Sequence, residues 1–287
     1  MSMQSVWARF AEACTRPDTP RERMSRSNIV GPTTQLDRLP TLAADLIRRR
    51  VAVIATTGNA PALAAKAATT TIPVVFSVSE DPVRLGLVAS LARPGGNVTG
   101  INYLVAEVTA KRLELLRALV PGAVQIAVLV NPEAPVTETV LRELEGAAAT
   151  TGLRIRVLKA RSSGEINAAF ATFVHDRPDA LFASGGFLFT NRRVQLVHLA
   201  TRYAVPTAYS DREYVEAGGL MSYGTNLTES LQQVGRYTGR ILKGARPADL
   251  PVMQSTKLEL VINAETARML GLHVPPALLA QADEVIE

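Results

Sequence analysis

Short apolar runs alternate with amphipathic helical segments along most of this 287-residue chain, and no other feature constrains the fold more. The runs at 51–55, 73–78, 125–130 and 179–183 are continuous and bounded by turn residues. Such runs are typical of strands buried on both faces of a parallel sheet. The intervening segments repeat apolar side chains at helical spacing. Strand–helix alternation of this kind predicts doubly wound α/β sheets.

The alternation occurs twice, at about 36–105 and 124–210, and mixed elements follow at about 218–275. We therefore predict an α/β fold with two doubly wound lobes, between which the mixed elements cross. The predicted division is an atypical tail at 1–35, lobe one at 36–120 plus about 218–250, and lobe two at 121–217 plus about 251–287. Within lobe one, the Ser-Glu-Asp-Pro loop that begins at Ser79 is predicted to open a helix that reaches Leu91.

The charge of the chain does not indicate a nucleic-acid partner. The formal net charge is +5, but the first 50 residues hold nine arginines against five acidic residues, which accounts for +4 of it. The remaining chain is nearly neutral, so we expect no nucleic-acid surface. The apolar runs are all shorter than the roughly 18 residues that a transmembrane helix needs, and the single Cys14 has no partner for an internal disulfide.

Ligands of open α/β sheets bind beyond the carboxyl ends of the strands, so the residues that follow each predicted strand are the candidate site. Helix N-termini after Thr57 and Ser79 would suit a carboxylate, and Asp81 or Asp211 would suit an amino group. The alternative is that these residues only cap helices and turn loops. The candidates are Thr57, Gly58, Asn59, Ser79, Asp81, Asn131, Gly185, Phe187, Asp211 and Tyr223.

Searches for catalytic patterns give weak results. The three histidines, His175, His198 and His273, do not have the spacing of metal ligands. Around Ser222 the nucleophile-elbow pattern fails because Leu220 stands where a glycine is required. Neither nucleotide-binding glycine motif occurs. We therefore expect no enzyme, no metal and no cofactor. Six aromatic residues between Phe187 and Tyr223 are explained equally well by local packing and by ligand stacking.

Several long motifs, in order, resemble those of the TrpX-like family of ABC-transporter substrate-binding proteins. The resemblance runs from about Leu36 to the C-terminus. It implies the type I periplasmic-binding-protein fold, in which two α/β lobes joined by a three-stranded hinge enclose a ligand cleft. The motifs lie at Ala64–Gly100, Lys111–Gly122, Ala127–Pro132, Arg212–Gly224, Ile241–Val252 and Lys257–Glu287.

The resemblance also implies a function. The protein would capture a small polar molecule, an amino acid or related small acid, and deliver it to an ABC permease with its ATPase subunits. It would do so as a monomer in the periplasm. Thr57, Gly58, Asn59, the Ser79–Pro82 loop, Asn131 and Tyr223 match family positions, whereas the stretch Ser184–Phe189 departs from the family pattern and would alter ligand selectivity.

The first 35 residues differ most from this family. They show neither an export signal nor the strand and helix that are expected to open lobe one. We expect a truncated or wrongly started chain of impaired stability, which would be non-functional if the cleft is incomplete. A cytoplasmic sensor of the same fold is an alternative that would explain the absent signal.

Overall fold

The computed structural model describes residues 38–103, 106–134, 136–255 and 257–287. The expected atypical tail, 1–35, lies outside these residues. In the described part, helices and strands alternate as the sequence predicts. The strands are β1 (Ile54–Thr57), β2 (Val74–Val78), β3 (Val98–Tyr103), β4 (Gln125–Val130), β5 (Arg154–Lys159), β6 (Ala180–Ala183), β7 (Thr207–Tyr209), β8 (Met221–Thr225), β9 (Met253–Ser255), β10 (Leu258–Asn263) and β11 (Glu284–Ile286).

The helices have the apolar faces that the periodicity predicts. They are α1 (Leu39–Arg48), α2 (Asn59–Ala68), α3 (Ala106–Leu119), α4 (Thr137–Thr151), α5 (Ser163–Ala171), α6 (Phe187–Asn191), α7 (Arg193–Arg202), α8 (Arg212–Glu216), α9 (Leu227–Leu242), α10 (Ala264–Met269) and α11 (Pro276–Leu279). Two short 3₁₀ helices, Thr172–Val174 and Pro247–Asp249, complete the set for the described residues.

The chain forms two compact units, each built from two segments. Unit 1 comprises Met1–Leu104 and Leu227–Thr256, and unit 2 comprises Val105–Asn226 and Lys257–Glu287. The chain therefore passes from one unit to the other three times. The predicted lobes differ from these units in three elements. The prediction has α3 and β8 in lobe one, whereas they pack together in unit 2, and it has β9 in lobe two, whereas β9 pairs with β3 in unit 1. An apolar pattern reveals that a strand exists but not which neighbour it pairs with.

Unit 1 has a parallel sheet in the order β1-β2-β3-β9. All five residues of β2 are buried, because helices or loops cover both sheet faces. Phe76 packs with Ala62 of α2 in one apolar cluster. Val75 packs with Val234 and Tyr237 of α9 in the other. This two-sided burial explains why β2 is a continuous apolar run.

The predicted helix from the Ser79 loop to Leu91 is wrong. The Asp81 carboxylate accepts a hydrogen bond from the backbone N–H of Val83 at 2.8 Å, and the backbone N–H of Leu85 bonds to the Asp81 carbonyl. Gly86 then adopts a left-handed conformation with φ of 68°. Since this conformation ends a helix, the segment makes one turn and continues as loops and bends.

Unit 2 has a sheet in the order β11-β10-β8-β7-β6-β4-β5. Only the β8–β10 pair in it is antiparallel. One face packs against α3 and α4, with Leu116 and Leu144 in its core. The other face packs against α5 and α7, with Phe170 and Leu196 in its core. Because β4, β6, β7 and β8 run in the same direction, their carboxyl ends lie along one edge of the sheet.

Candidate functional site

The connection between β1 and α2 in unit 1 carries three of the predicted site residues. Thr57 ends the strand with an exposed side chain. Gly58 has φ of 95°, a region that glycine occupies without strain. No side chain caps the first turn of α2, so this helix offers backbone N–H groups where Thr57 and Gly58 meet it.

Asn59 performs a local structural role in the same connection. Its side chain is only 8% exposed. The amide nitrogen donates to Oε1 of Glu80 at 2.9 Å, and the amide oxygen accepts from the backbone N–H of Ser79 at 3.1 Å. Asn102 of β3 donates to the carbonyls of Val78 and Glu80. Asn59 therefore ties α2 to the loop after β2, and this bonding places Ser79 beside it.

Asp81 does not join this cluster through its carboxylate. Its Oδ1 is taken up by the backbone N–H groups of Val83 and Arg84, at 2.8 and 3.4 Å, and the residue is exposed. This is the turn-forming role that the sequence analysis left open as the alternative. Of the two candidates for an amino group, Asp81 therefore has its carboxylate engaged within its own loop.

The carboxyl ends of β6, β7 and β8 bring several candidates together in unit 2. A Cβ atom on Gly185 would lie 3.4 Å from the Ser210 side chain, so β6 and β7 approach closely here. Gly224 is packed even more tightly, because a Cβ atom there would lie 1.9 Å from the Ser210 carbonyl oxygen. Ser210 in turn donates from its hydroxyl to Oδ2 of Asp211 at 2.6 Å.

Arg112 of α3 joins this edge, although the sequence analysis did not select it. Its Nε donates to the Tyr223 carbonyl at 2.7 Å, and its Cζ lies 5.0 Å from the centroid of the Phe182 ring. Arg112 is 5% exposed. A signal for it existed, because Val108, Arg112, Leu116 and Leu119 are spaced four, four and three residues apart and so share one helix face. An arginine in that series departs from the apolar pattern.

The predicted residues Asn131, Phe187 and Tyr223 lie at the same edge. The Asn131 Oδ1 accepts from the backbone N–H of Glu133 at 3.0 Å, which shapes the loop after β4. Phe187 is the first residue of α6; its side chain is outside the described part. Tyr223 is half-buried and packs on the apolar cluster of α3 and α4, so its backbone is what contacts Arg112.

Two aromatic residues from the enriched stretch belong to the core. The rings of Tyr209 and Tyr214 stack with centroids 4.7 Å apart, and both residues are 1% exposed. Burial raises the pKa of both phenols. Local packing therefore explains these two tyrosines.

Burial perturbs the two charged groups at the unit 2 edge. Burial lowers the pKa of Arg112 to about 10, and the charge of Asp211 opposes this shift. Burial raises the pKa of the Asp211 carboxyl above its ordinary value, against the effects of the Ser210 hydroxyl and of Arg112. In each case the charge of the other group counteracts the effect of burial, so the two groups interact electrostatically.

Other site types find little support in the described residues. No group of three or more His, Cys, Asp or Glu side chains in them is arranged to hold a metal ion. No helix among them has the length and apolar character needed to cross a membrane. Arg112, Ser210 and Asp211 give the unit 2 edge hydrogen-bonding groups and one ionisable side chain of each sign.

A family model and a curated relative match most of the chain. Residues 31–286 match the family described as ABC transporter substrate binding protein. A tyrosine-binding protein of Clostridioides difficile is 28% identical over 242 residues, which are 84% of this chain and 68% of that protein.

Solved structures show the same fold. The ABC domain from Streptococcus pneumoniae in complex with L-Trp superposes with a TM-score of 0.83 at 24% identity, covering 98% of this chain and 94% of that one. A conserved domain protein from Vibrio cholerae superposes with a TM-score of 0.79 at 25% identity, covering 96% of this chain and 95% of that one. The resemblance identified in the sequence is thereby confirmed. Since the family match extends over most of its residues, this chain belongs to the ABC transporter substrate-binding protein family.

Proposed function

We propose that this protein is the solute-binding component of an ABC importer and that its ligand is an amino acid. The observation that carries the proposal is the unit 2 edge, where Arg112 is bonded to the Tyr223 carbonyl and Asp211 is bonded to Ser210, which packs against Gly224. One basic and one acidic side chain thereby lie at the same end of β7 and β8. An amino acid carries both complementary charges. The names of the relatives, a tyrosine-binding protein and a domain solved with L-Trp, support an aromatic amino acid in particular.

The proposed role is capture and delivery without chemical change of the ligand. The backbone N–H group of Asn59 and the side chains of Thr57 and Ser79 are the proposed contributors from unit 1. The Gly58 N–H donates to the Ser77 carbonyl at 2.8 Å, so Gly58 is proposed to contribute through its lack of a side chain. Asn131, Gly185, Phe187, Asp211 and the Tyr223 region are the proposed contributors from unit 2. Small hydroxyl and amide groups suit a polar ligand because they fix its orientation through hydrogen bonds.

A thermal-shift screen tests this function directly. The full chain is heated with each of the twenty amino acids, with simple sugars and with nucleosides. A ligand that binds only the folded state raises the melting temperature. We expect shifts with amino acids, the largest with tryptophan or tyrosine. Shifts confined to sugars or nucleosides would contradict the proposal.

The proposed partners are the permease and ATPase subunits of an importer, which the protein would meet as a monomer in the periplasm. Reconstituting the protein with a candidate permease and ATPase from the same organism tests the partnership. We expect the ligand-loaded protein to stimulate ATP hydrolysis and the ligand-free protein to do so less. Equal hydrolysis with and without the protein would contradict this part of the proposal. Light scattering tests the monomer, for which a mass of 30.7 kDa is expected.

A further inference from the structure

Among the described arginines, Arg112 alone is buried, and its guanidinium group has few protein partners. Its stem is covered by α3 and the sheet, its plane lies over the Phe182 ring, and only Nε donates a hydrogen bond, to the Tyr223 carbonyl. Nη1 and Nη2 have no hydrogen-bond acceptor among the described residues. Burying a charged group is costly unless it is paired, so this arrangement needs an explanation.

Other partly buried arginines of unit 2 are paired with side chains. Arg212 contacts the carboxylates of Glu216, Glu259 and Glu284 at 2.9, 2.6 and 2.7 Å. Arg156 contacts Asp176 and donates to the Thr172 hydroxyl. Arg112 is more buried than these two, yet its nearby acid, Asp211, does not come within the 4.0 Å of an ion pair among the described residues.

The two terminal nitrogens of Arg112 also remain reachable. The hydroxyls of Tyr209 and Tyr214 are fully enclosed atoms that lack a partner among the described residues. Nη1 and Nη2 of Arg112 also lack a partner within the described ranges, but they are not fully enclosed. The 5% exposure of Arg112 therefore includes the end of its guanidinium group. A guanidinium whose stem is fixed and whose tip is reachable can hold a carboxylate by two parallel hydrogen bonds.

Asp211 is placed to complement this role. The Ser210 hydroxyl occupies Oδ2 of Asp211. The Ser210 carbonyl lies against Gly224, and Arg112 donates to the carbonyl of the preceding residue, Tyr223, so Asp211 and Arg112 are held at the same end of β7 and β8. An α-amino acid carries its carboxylate and its ammonium on one carbon atom. A fixed guanidinium and a fixed carboxylate that do not pair with each other would match these two groups.

We propose that Arg112 binds the carboxylate of the ligand through Nη1 and Nη2, while Asp211 binds its ammonium. The inference rests on the proposed function and deepens it, because it assigns each charged group of the amino acid to one residue of the chain. Molecules with only one of the two charged groups would bind weakly. Arg112 would thereby be a residue that determines ligand class as well as one that supports the fold.

The test combines three ligands with three proteins. Calorimetry measures the affinity of L-tryptophan, of tryptamine, which lacks the carboxylate, and of indole-3-propionate, which lacks the ammonium. The proteins are the wild type, Arg112→Met and Asp211→Asn. We expect Arg112→Met to lower the affinity for L-tryptophan and for indole-3-propionate by about tenfold or more, which corresponds to the loss of a charge-assisted hydrogen bond. The affinity for tryptamine should change less than about threefold, since tryptamine has no carboxylate for Arg112 to bind.

Asp211→Asn should give the reverse pattern, with losses for L-tryptophan and tryptamine only. A purely structural role of Arg112 would weaken all three ligands alike, and this outcome would overturn the inference. Unchanged affinities in Arg112→Met would overturn it as well. Arg112→Lys retains the charge and stem if the Met variant fails to fold, and it should show the same ligand order with a smaller loss.

Arg156→Met is the matched control. Arg156 also lies over an aromatic ring, with its Cζ 5.7 Å from the centroid of Phe173, but it packs on the other face of the sheet. This variant should change stability without changing the order of the three ligands. If it reproduces the pattern of Arg112→Met, the inference fails.

A second measurement separates this inference from the proposed function. If none of the indole compounds binds the wild type, the proposed aromatic amino-acid function fails, and sodium acetate then serves as the probe. Guanidinium NMR signals of Arg112, assigned with Arg112→Lys, should shift and saturate as acetate is added. Signals that stay constant up to high acetate concentration would overturn the anion-binding role of Arg112.

Discussion

At the scale of single residues, the unit 2 edge depends on close backbone contact. Gly224 of β8 lies directly against the Ser210 carbonyl, where any Cβ atom would overlap it. Ser210 and Asp211 are joined by a hydrogen bond, and the Tyr223 carbonyl receives the Arg112 Nε. The positions of both charged side chains are therefore tied to the approach of β7 and β8.

Replacing Gly224 by alanine tests this dependence. The new methyl group would force β7 and β8 apart, and we expect the free energy of unfolding to fall by about 1–3 kcal/mol. Ligand affinity should fall too. Gly146→Ala is the control in the same unit, because Gly146 lies in α4 with open space around it. That change should raise stability by about 0.5–1 kcal/mol. Urea denaturation measures the free energy of unfolding of both variants. A Gly224→Ala protein as stable as the wild type would contradict the close packing at this position.

Asp211 predicts a pH dependence of binding. Burial raises the pKa of its carboxyl, and only the ionised form attracts an ammonium group. As the pH falls through this raised pKa, the carboxyl takes up a proton and amino-acid affinity should fall, with proton release on binding in that range. Calorimetry at several pH values in two buffers measures both effects. Asp211→Asn should remove this pH dependence, and an unchanged profile in the variant would show that another group is responsible.

At the scale of elements, the connection from β1 to α2 is held by the loop after β2. Asn59 bonds to Ser79 and Glu80, and Lys66 donates to the Leu87 carbonyl at 3.1 Å. The Asn59 contacts reach the predicted loop, and the Lys66 contact reaches the segment that the sequence predicts as a second helix. The prediction failed because the Asp81 turn and Gly86 satisfy the backbone locally, which apolar spacing does not reveal.

Asn59→Ala should loosen this loop. The change removes two hydrogen bonds and leaves the Ser79 N–H without its acceptor, so we expect a loss of about 1–3 kcal/mol in stability. Amide hydrogen exchange at Ser79 should accelerate. Ser90→Ala is the control. It also removes two hydrogen bonds, both to the Arg93 backbone, but they are exposed to water and their loss should cost much less. Equal losses in the two variants would contradict the role given to Asn59.

At the scale of the whole molecule, the sequence alone was sufficient for the α/β class and for two units of alternating elements. It was insufficient to assign β8 and β9 to their sheets, because the pattern of a short strand does not reveal which strand it pairs with. The strand-end rule selected Asp211 and Gly185, and both lie at one edge of the unit 2 sheet. It missed Arg112, since that residue reaches the edge from a helix, and only its place in an apolar helical series indicated burial.

The central claim is that the chain binds an amino acid through charged groups of both signs. Titration calorimetry of the purified protein with L-tryptophan and L-tyrosine tests it most directly. We predict saturable one-to-one binding of at least one of them, weakened about tenfold or more when Arg112 is replaced by methionine. The absence of binding by both amino acids, together with no thermal shift from any other amino acid, would contradict the account.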